Sequence, residues 1–374
     1  MRIKLKLNNY GKKKFLCKRR QLDDYQLKVI NRKTDKSCII KGCAGSGKSI
    51  LALWKAKQIQ DEGKGDLLFV VYTKSLRQYM KDGIKQVGLN STCVESFNKC
   101  LGWERDDETG KWECTGWKKG DYDYIIVDEA QDFSCEDILM MKEHAKKAML
   151  LYGDSAQQLY KFLKDKKTAN MEELKLVTGF PDDQLVFNHR LPKKIAAVAE
   201  YINSEFDELQ DRCTNEGREK PYVLKYTSFH EQLDRIMEII KNRNLEDVGI
   251  LFPTNSLVKD ADSYLKNKGY NVESRIRDDM EIELNFNSPN PKLMTYHSSK
   301  GLQFETVFLP ECCDGAATFD LEREKTKKNA LYVAMTRTYQ SLYIMYSSEL
   351  SSYFDAIPTA LYETSLHNLE AEEL

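Results

Sequence analysis

Eight residues, Gly42-Cys43-Ala44-Gly45-Ser46-Gly47-Lys48-Ser49, fit the pattern G-x4-G-K-[ST] and constrain the fold more than any other stretch of the chain. The glycines let the backbone curl until successive N–H groups converge. With a helix N-terminus behind it, such a nest is an anion site. An apolar run at 38–41 precedes the loop and a helical pattern at 48–60 follows it, which is the strand–loop–helix setting the pattern needs. Gly42 through Ser49 are therefore the candidate phosphate cradle. Lys48 would meet the β- and γ-phosphates, and the Ser49 hydroxyl would take a magnesium position.

Such a cradle belongs to α/β folds, and the rest of the chain keeps that rhythm. Apolar runs at 38–41, 67–72, 124–127, 149–153, 248–252, 292–296, 306–309 and 342–346 alternate with helical patterns at 48–60, 75–87, 191–206, 230–241 and 255–268. Continuous apolar strands separated by helices predict buried parallel sheets. Two such series, split near 181–185, predict tandem α/β domains at 1–185 and 186–350. The stretch 102–122, with Trp103, Trp112 and Trp117, reads as a small hairpin insertion turning at Thr109-Gly110. The tail 351–374 has five acids and no Lys or Arg, so it reads as an amphipathic helix or a solvated end. Residues 2–7 alternate at period two, as an edge strand would.

The second half of the site is Asp123-Tyr124-Ile125-Ile126-Val127-Asp128-Glu129-Ala130-Gln131-Asp132. An apolar strand delivers acids at its C-terminal end, where ligands of open α/β sheets bind. Asp128 is the candidate Mg²⁺ ligand, and Glu129 the candidate group that polarises an attacking water.

Charge and composition narrow the partners. Lys and Arg total 57 against 58 Asp and Glu, a net charge of −1, which excludes a bulk polycation holding nucleic acid by charge alone. No run of 18 apolar residues predicts a membrane span. The basic start at 1–20 lacks the apolar segment of a signal peptide. Ten cysteines include no Cys-x-x-Cys pair, only the adjacent Cys312 and Cys313, so the sequence predicts reduced thiols, no zinc and a cytoplasmic protein.

The acidic motif 128–132 together with 42–49 resembles the superfamily 1 helicases of the UvrD/Rep/PcrA type, and further motifs follow in that family's order. Leu22-Asp23-Asp24-Tyr25-Gln26 is similar to the Q motif, which makes Gln26 an adenine contact. Residues 69–74, with Tyr72 and Thr73, and 96–98, with Phe97, are similar to strand-contacting motifs. The stretch 153–160 resembles the motif that couples nucleotide to DNA, with Gln157 facing the γ-phosphate, and Phe162 stands where the family has a stacking tryptophan. Asn188-His189-Arg190 resembles the family's Asn-Tyr-Arg, the stretch 295–304 a later motif carrying His297 and Gln303, and 332–337 the last. The resemblance implies two RecA-like domains, arginine fingers at Arg190 and Arg337, and an ATP site completed by closure of the second domain on the first.

Three positions depart from the family. Ile50 and His189 replace an arginine and a tyrosine at the base, and Gln303 replaces a glutamate. These changes leave other NTPs or dNTPs open as substrates. Phe97 and Asp128 are only 31 positions apart, and Arg190 and Thr295 105, so accessory subdomains are expected to be reduced or absent. The resemblance thus implies an ATP- and Mg²⁺-dependent hydrolase stimulated by single-stranded DNA or other nucleic acid, a translocase or weak helicase. Two alternatives stand beside it. One is a nucleotide-gated sensor subunit with a protein partner such as a nuclease, in DNA repair or antiviral defence. The other is a DNA-activated hydrolase of many (d)NTPs.

Overall fold

The structure is a computed structural model and describes residues 22–72, 74–90, 93–105, 112–154, 168–202, 208–276, 284–314 and 321–366. The expected edge strand at 2–7, the turn at 109–110, Thr73, Gln157 and Phe162 lie outside those residues. The chain divides into two compact units, Met1–Val186 and Phe187–Leu374. Among the described residues no helix is long and apolar enough to cross a membrane.

The first unit runs α1 (Asp24–Asn31), β1 (Cys38–Gly42), α2 (Lys48–Asp61), β2 (Leu67–Val71), α3 (Lys74–Val87), β3 (Val94–Ser96), α4 (Phe97–Cys100), β4 (Leu101–Arg105), β5 (Trp112–Trp117), β6 (Tyr122–Val127), α5 (Cys135–Glu143), β7 (Ala145–Gly153), α6 (Met171–Thr178) and β8 (Asp182–Leu185). Its sheet is six-stranded, in the order β3-β2-β6-β7-β1-β8, and every pairing is parallel. Runs such as Ile125-Ile126-Val127 are wholly buried, because helices cover both faces of a parallel sheet. The parallel α/β layout expected from the sequence is present.

Register places the site. Leu151 of β7 is level with both Ile39 of β1 and Val127 of β6. The three neighbouring strands therefore end together, and the phosphate loop, Asp128 and Asp154 leave the sheet along one edge.

The second unit runs β9 (Asn188–Pro192), α7 (Lys193–Ile202), α8 (Leu209–Arg212), β10 (Cys213–Asn215), β11 (Tyr222–Lys225), α9 (Phe229–Asn242), β12 (Val248–Phe252), α10 (Asn255–Asn267), β13 (Glu273–Ser274), β14 (Lys292–Thr295), β15 (Phe304–Leu309), α11 (Leu321–Met335) and β16 (Thr338–Tyr346). Its main sheet, β11-β16-β15-β12-β14-β13, is again parallel throughout.

Two expectations need correction. The helix expected at 191–206 begins only at Lys193, after the strand β9. Pro192 disfavours helical backbone at Leu191, and the Asn188 side chain accepts the backbone N–H groups of Arg190 and Leu191 instead. The tail is neither an amphipathic helix nor a solvated end over 351–366. It makes short 3-10 turns at Ser352–Phe354 and Thr359–Leu361, and Phe354 and Ile357 are buried. Beyond them, Glu363 pairs with the outer edge of β11, its N–H donating to the Pro221 carbonyl at 2.9 Å and its carbonyl accepting from the Val223 N–H at 2.8 Å. The apolar residues among the acids decide the outcome.

Phe354→Ala should destabilise the second unit by about 3–5 kcal/mol, the usual range for a buried phenylalanine. Urea denaturation would read this as an earlier midpoint for that unit, whereas an exposed tail would leave the curve unchanged.

Candidate nucleotide-binding site

The loop between β1 and α2 takes its shape from left-handed glycines, Gly45 at φ 76° and Gly47 at φ 88°. A Cβ on Gly47 would be strained by that φ and would also lie 2.8 Å from Gln26 Nε2. Gln26 is buried and its amide is engaged at both ends. Oε1 accepts from the Asp23 N–H at 3.2 Å, completing a capping box, and Nε2 donates to the Ser46 carbonyl at 3.0 Å. The Q-motif residue thus sits directly on the phosphate loop. Cys43, Ala44 and Ser46 are buried beside it, and the Ser46 hydroxyl has no partner.

Lys48 is folded back into the loop it follows. Its ammonium donates to the carbonyls of Gly42 and Cys43 at 2.8 and 2.9 Å and lies 3.9 Å from Asp154 Oδ2. Asp154 was not among the residues singled out from sequence. Its signal lay in the register argument, because the residue after β7 must end level with the loop.

Asp128 is completely buried, and neither carboxylate oxygen meets a hydrogen-bond partner at bonding geometry. Burial first, and the charge of Glu129 second, push its carboxyl up to about 7. Nearby Ser49 and Lys48 oppose this only in part. A buried carboxylate of this kind calls for a cation. Its hard oxygen set, with the Ser49 hydroxyl and phosphate oxygens, fits Mg²⁺, which binds through one or two carboxylates plus phosphates and waters. Among the described residues no group of three or more His, Cys, Asp and Glu side chains offers a different metal site.

Glu129 follows in left-handed backbone, φ 55°, a conformation that costs a non-glycine residue about 1–3 kcal/mol. The 3-10 turn Ala130–Asp132 holds it there, anchored by Ala130 and Phe133, both inaccessible to solvent. Gln131, also missed as a site residue, links the parts. Its Nε2 donates to Glu129 Oε2, and its Oε1 accepts the Asp154 N–H at 2.9 Å. The candidate water-polarising acid and the start of the next motif therefore share one buried amide.

The residues expected to touch nucleic acid fare unevenly. Phe97 is 5% exposed and meets Phe133 edge-on, with ring centroids 5.1 Å apart. It belongs to the hydrophobic core of this unit and offers no open face for a base, which corrects its reading as a contact residue. Tyr72 is half-buried against the same ring at 5.3 Å, and burial pushes its hydroxyl up to about 12.

In the second unit the structure gathers both arginines at the C-terminal end of α11. Arg190 donates to the Thr336 carbonyl at 3.0 Å, while Arg337 donates through Nε to the Val333 carbonyl at 2.8 Å and through Nη2 to the Thr336 hydroxyl at 3.1 Å. Guanidinium groups are favourable against the free carbonyls and negative dipole end of a helix. Arg337 is 1% exposed, so engaging a phosphate would require it to exchange these bonds. His189 is partly exposed, with Nδ1 3.2 Å from Thr214 Oγ1. His297 and Gln303 are partly exposed, in the 3-10 turn after β14 and just before β15.

Comparison with known proteins adds to this geometry. Residues 271–349 match the UvrD-like helicase C-terminal domain, and residues 26–163 match an AAA domain. The chain is 23% identical over 242 residues to R568 of Acanthamoeba polyphaga mimivirus, a protein provisionally named an ATP-dependent DNA helicase; the match covers 59% of this chain and 34% of that one. Over 63 residues it is 41% identical to YjcD of Bacillus subtilis, which bears the same provisional name, covering 14% of this chain and 8% of that one. The chain thus spans about a third or less of these relatives. A solved structure of the PRRSV helicase aligns with a TM-score of 0.43 at 15% identity, covering 86% of this chain and 54% of that one.

Added Mg²⁺ should stabilise the protein more at pH 8 than at pH 5.5, measured as the shift in Tm. With its carboxyl raised to about 7 in the fold, Asp128 is mostly protonated at the lower pH and offers Mg²⁺ no charge. Without Mg²⁺ the sign reverses, because the unfolded chain releases this proton first and the group's contribution to stability falls as pH rises from about 4 to 7. Asp128→Asn should remove both effects.

Proposed function

We infer that this chain, which belongs to the UvrD-like superfamily 1 helicases, is a Mg²⁺-dependent nucleoside-triphosphate hydrolase stimulated by single-stranded nucleic acid. On this reading it is a single-stranded DNA translocase or weak helicase with ATP as its main substrate. The observation that supports it most is the pairing of an engaged Lys48 with a buried, only partly compensated Asp128 at one sheet edge. An incoming triphosphate would take the Lys48 ammonium from its own loop carbonyls. The loop N–H groups would hold the phosphate oxygens, and Gln26 would meet the base.

Bound Mg²⁺ would neutralise charge on the phosphate oxygens, with Ser49 and Asp128 as its protein ligands. Glu129 would orient and polarise the attacking water, its carboxylate aimed by Gln131. Arg190 and Arg337 would stabilise the charge developing on the transferred phosphoryl group. Gln157 would face the γ-phosphate. Tyr72, Thr73, Phe162 and His297 remain the candidates for strand contact.

A second reading has one observation in its favour. Trp103 and Trp112, on the antiparallel pair β4–β5, are 43% and 66% exposed, more than a solitary motor needs. They suit a nucleotide-gated subunit docking on a protein such as a nuclease. A stable complex in which the partner's activity depends on Lys48 would favour it.

Steady-state hydrolysis of ATP with and without single-stranded DNA tests the main reading, and a rate indifferent to DNA would sink it. Lys48→Ala and Glu129→Gln should each lower turnover by about 10²–10⁴-fold. Only Lys48→Ala should also weaken nucleotide binding.

A further inference from the structure

Lys55 is a buried cation with an unusual set of partners. It is 3% exposed and, among the described residues, has no carboxylate within ion-pair distance. A methionine would be far easier to bury there, so the ammonium has to be explained by its bonds. There are three. Nζ donates to the Ile30 carbonyl at 2.8 Å, to the Arg32 carbonyl, and to Gln58 Oε1 at 3.2 Å. Three donors meet three acceptors.

Two of those acceptors lie at the C-terminal end of α1. A helix leaves its last carbonyls without intrahelical donors. In α1 the Arg32 N–H takes those of Lys28 and Val29, and Lys55 reaches across from α2 to take Ile30 and Arg32. Lys55 is therefore the C-cap of a helix to which it does not belong. At eight residues α1 is too short to hold itself, since isolated helices below about 12–15 residues are marginal. Its far end carries Gln26, which bonds the phosphate loop at Ser46.

The geometry points to Lys55 as a positioning residue for the base end of the nucleotide site. The helix α2 starts at the phosphate loop with Lys48 and Ser49, and two turns later grips α1 through Lys55. One rigid helix thus sets the distance between the phosphate cradle and Gln26. Asp183 on β8 steadies the same end of α1 by pairing with Lys28 at 2.7 Å and with Arg32.

This inference rests on the nucleotide-binding reading above. The experiment measures binding of a fluorescent ATP analogue and of inorganic tripolyphosphate, together with KM and kcat for ATP. Variants are Lys55→Met, Lys55→Gln and Lys55→Arg, plus Lys55→Met combined with Gln26→Ala. Lys55→Met should raise the ATP Kd and KM by about tenfold, leave kcat within about twofold, and leave tripolyphosphate binding unchanged. Lys55→Gln, with a shorter amide donor, should fall between Met and the wild type. If Lys55→Met fails to fold, Lys55→Gln carries the test with the same pattern.

Lys55→Arg should restore ATP affinity, because a guanidinium can still reach the carbonyls. In the Gln26→Ala background Lys55→Met should add little, since the lysine acts through that glutamine. Equal losses for ATP and tripolyphosphate, a fall in kcat, failure of the arginine to rescue, or simple additivity with Gln26→Ala would each overturn the inference. Wild-type protein that binds neither probe would instead remove the nucleotide-binding reading itself.

Discussion

A buried carboxylate that its neighbours compensate only in part is the constraint on which the rest of the first unit turns. Asp128 follows a strand that is central, parallel and buried over its last four residues, so its side chain emerges in a region already cleared of water. A free surface aspartate in that place would be unremarkable. Buried at the level of the phosphate loop, it converts the hydrophobic drive that forms the sheet into a standing demand for positive charge. The demand is met only in part by the protein, because Lys48 is committed to its own loop and to Asp154. The sheet register decides this, since a shift of one residue in β6 against β7 would turn Asp128 to the opposite face.

Around that carboxylate the bonds form a short relay. Gln131 holds Glu129 with one end of its amide and the backbone of Asp154 with the other. Gly153 has no room for a side chain, because a Cβ there would lie 2.3 Å from Met171 Sδ and 2.7 Å from Gln131 Oε1. A change in the backbone after β7 would therefore be felt at Glu129 through one side chain.

Much of this was legible in the sequence, and for identifiable reasons. The phosphate loop, the apolar strands and the acidic strand end are local patterns, and each folds as its period and glycine content dictate. Residues whose role depends on distant partners were harder to see. Gln131 and Asp154 lie inside motifs but, like Lys55, take their roles only because the sheet or a neighbouring helix brings each against another segment. Phe97 failed as a contact residue for the opposite reason: a motif position suggested exposure, but packing against Phe133 put the ring in the core. In the tail, the net charge of the acids is overridden by the burial of Phe354 and Ile357, which a count of charges does not register.

The pairing of Glu363 with β11 has one more consequence. The outermost strand of a parallel sheet exposes a row of amides and carbonyls that can recruit any extended chain. Here Pro221 contributes no N–H to that row, and Glu363 occupies the neighbouring bonding positions. The second unit therefore blunts its own sticky margin with a strap of its own sequence. The charged residue that made this segment look like solvent-bound tail stands guard against strand-to-strand aggregation.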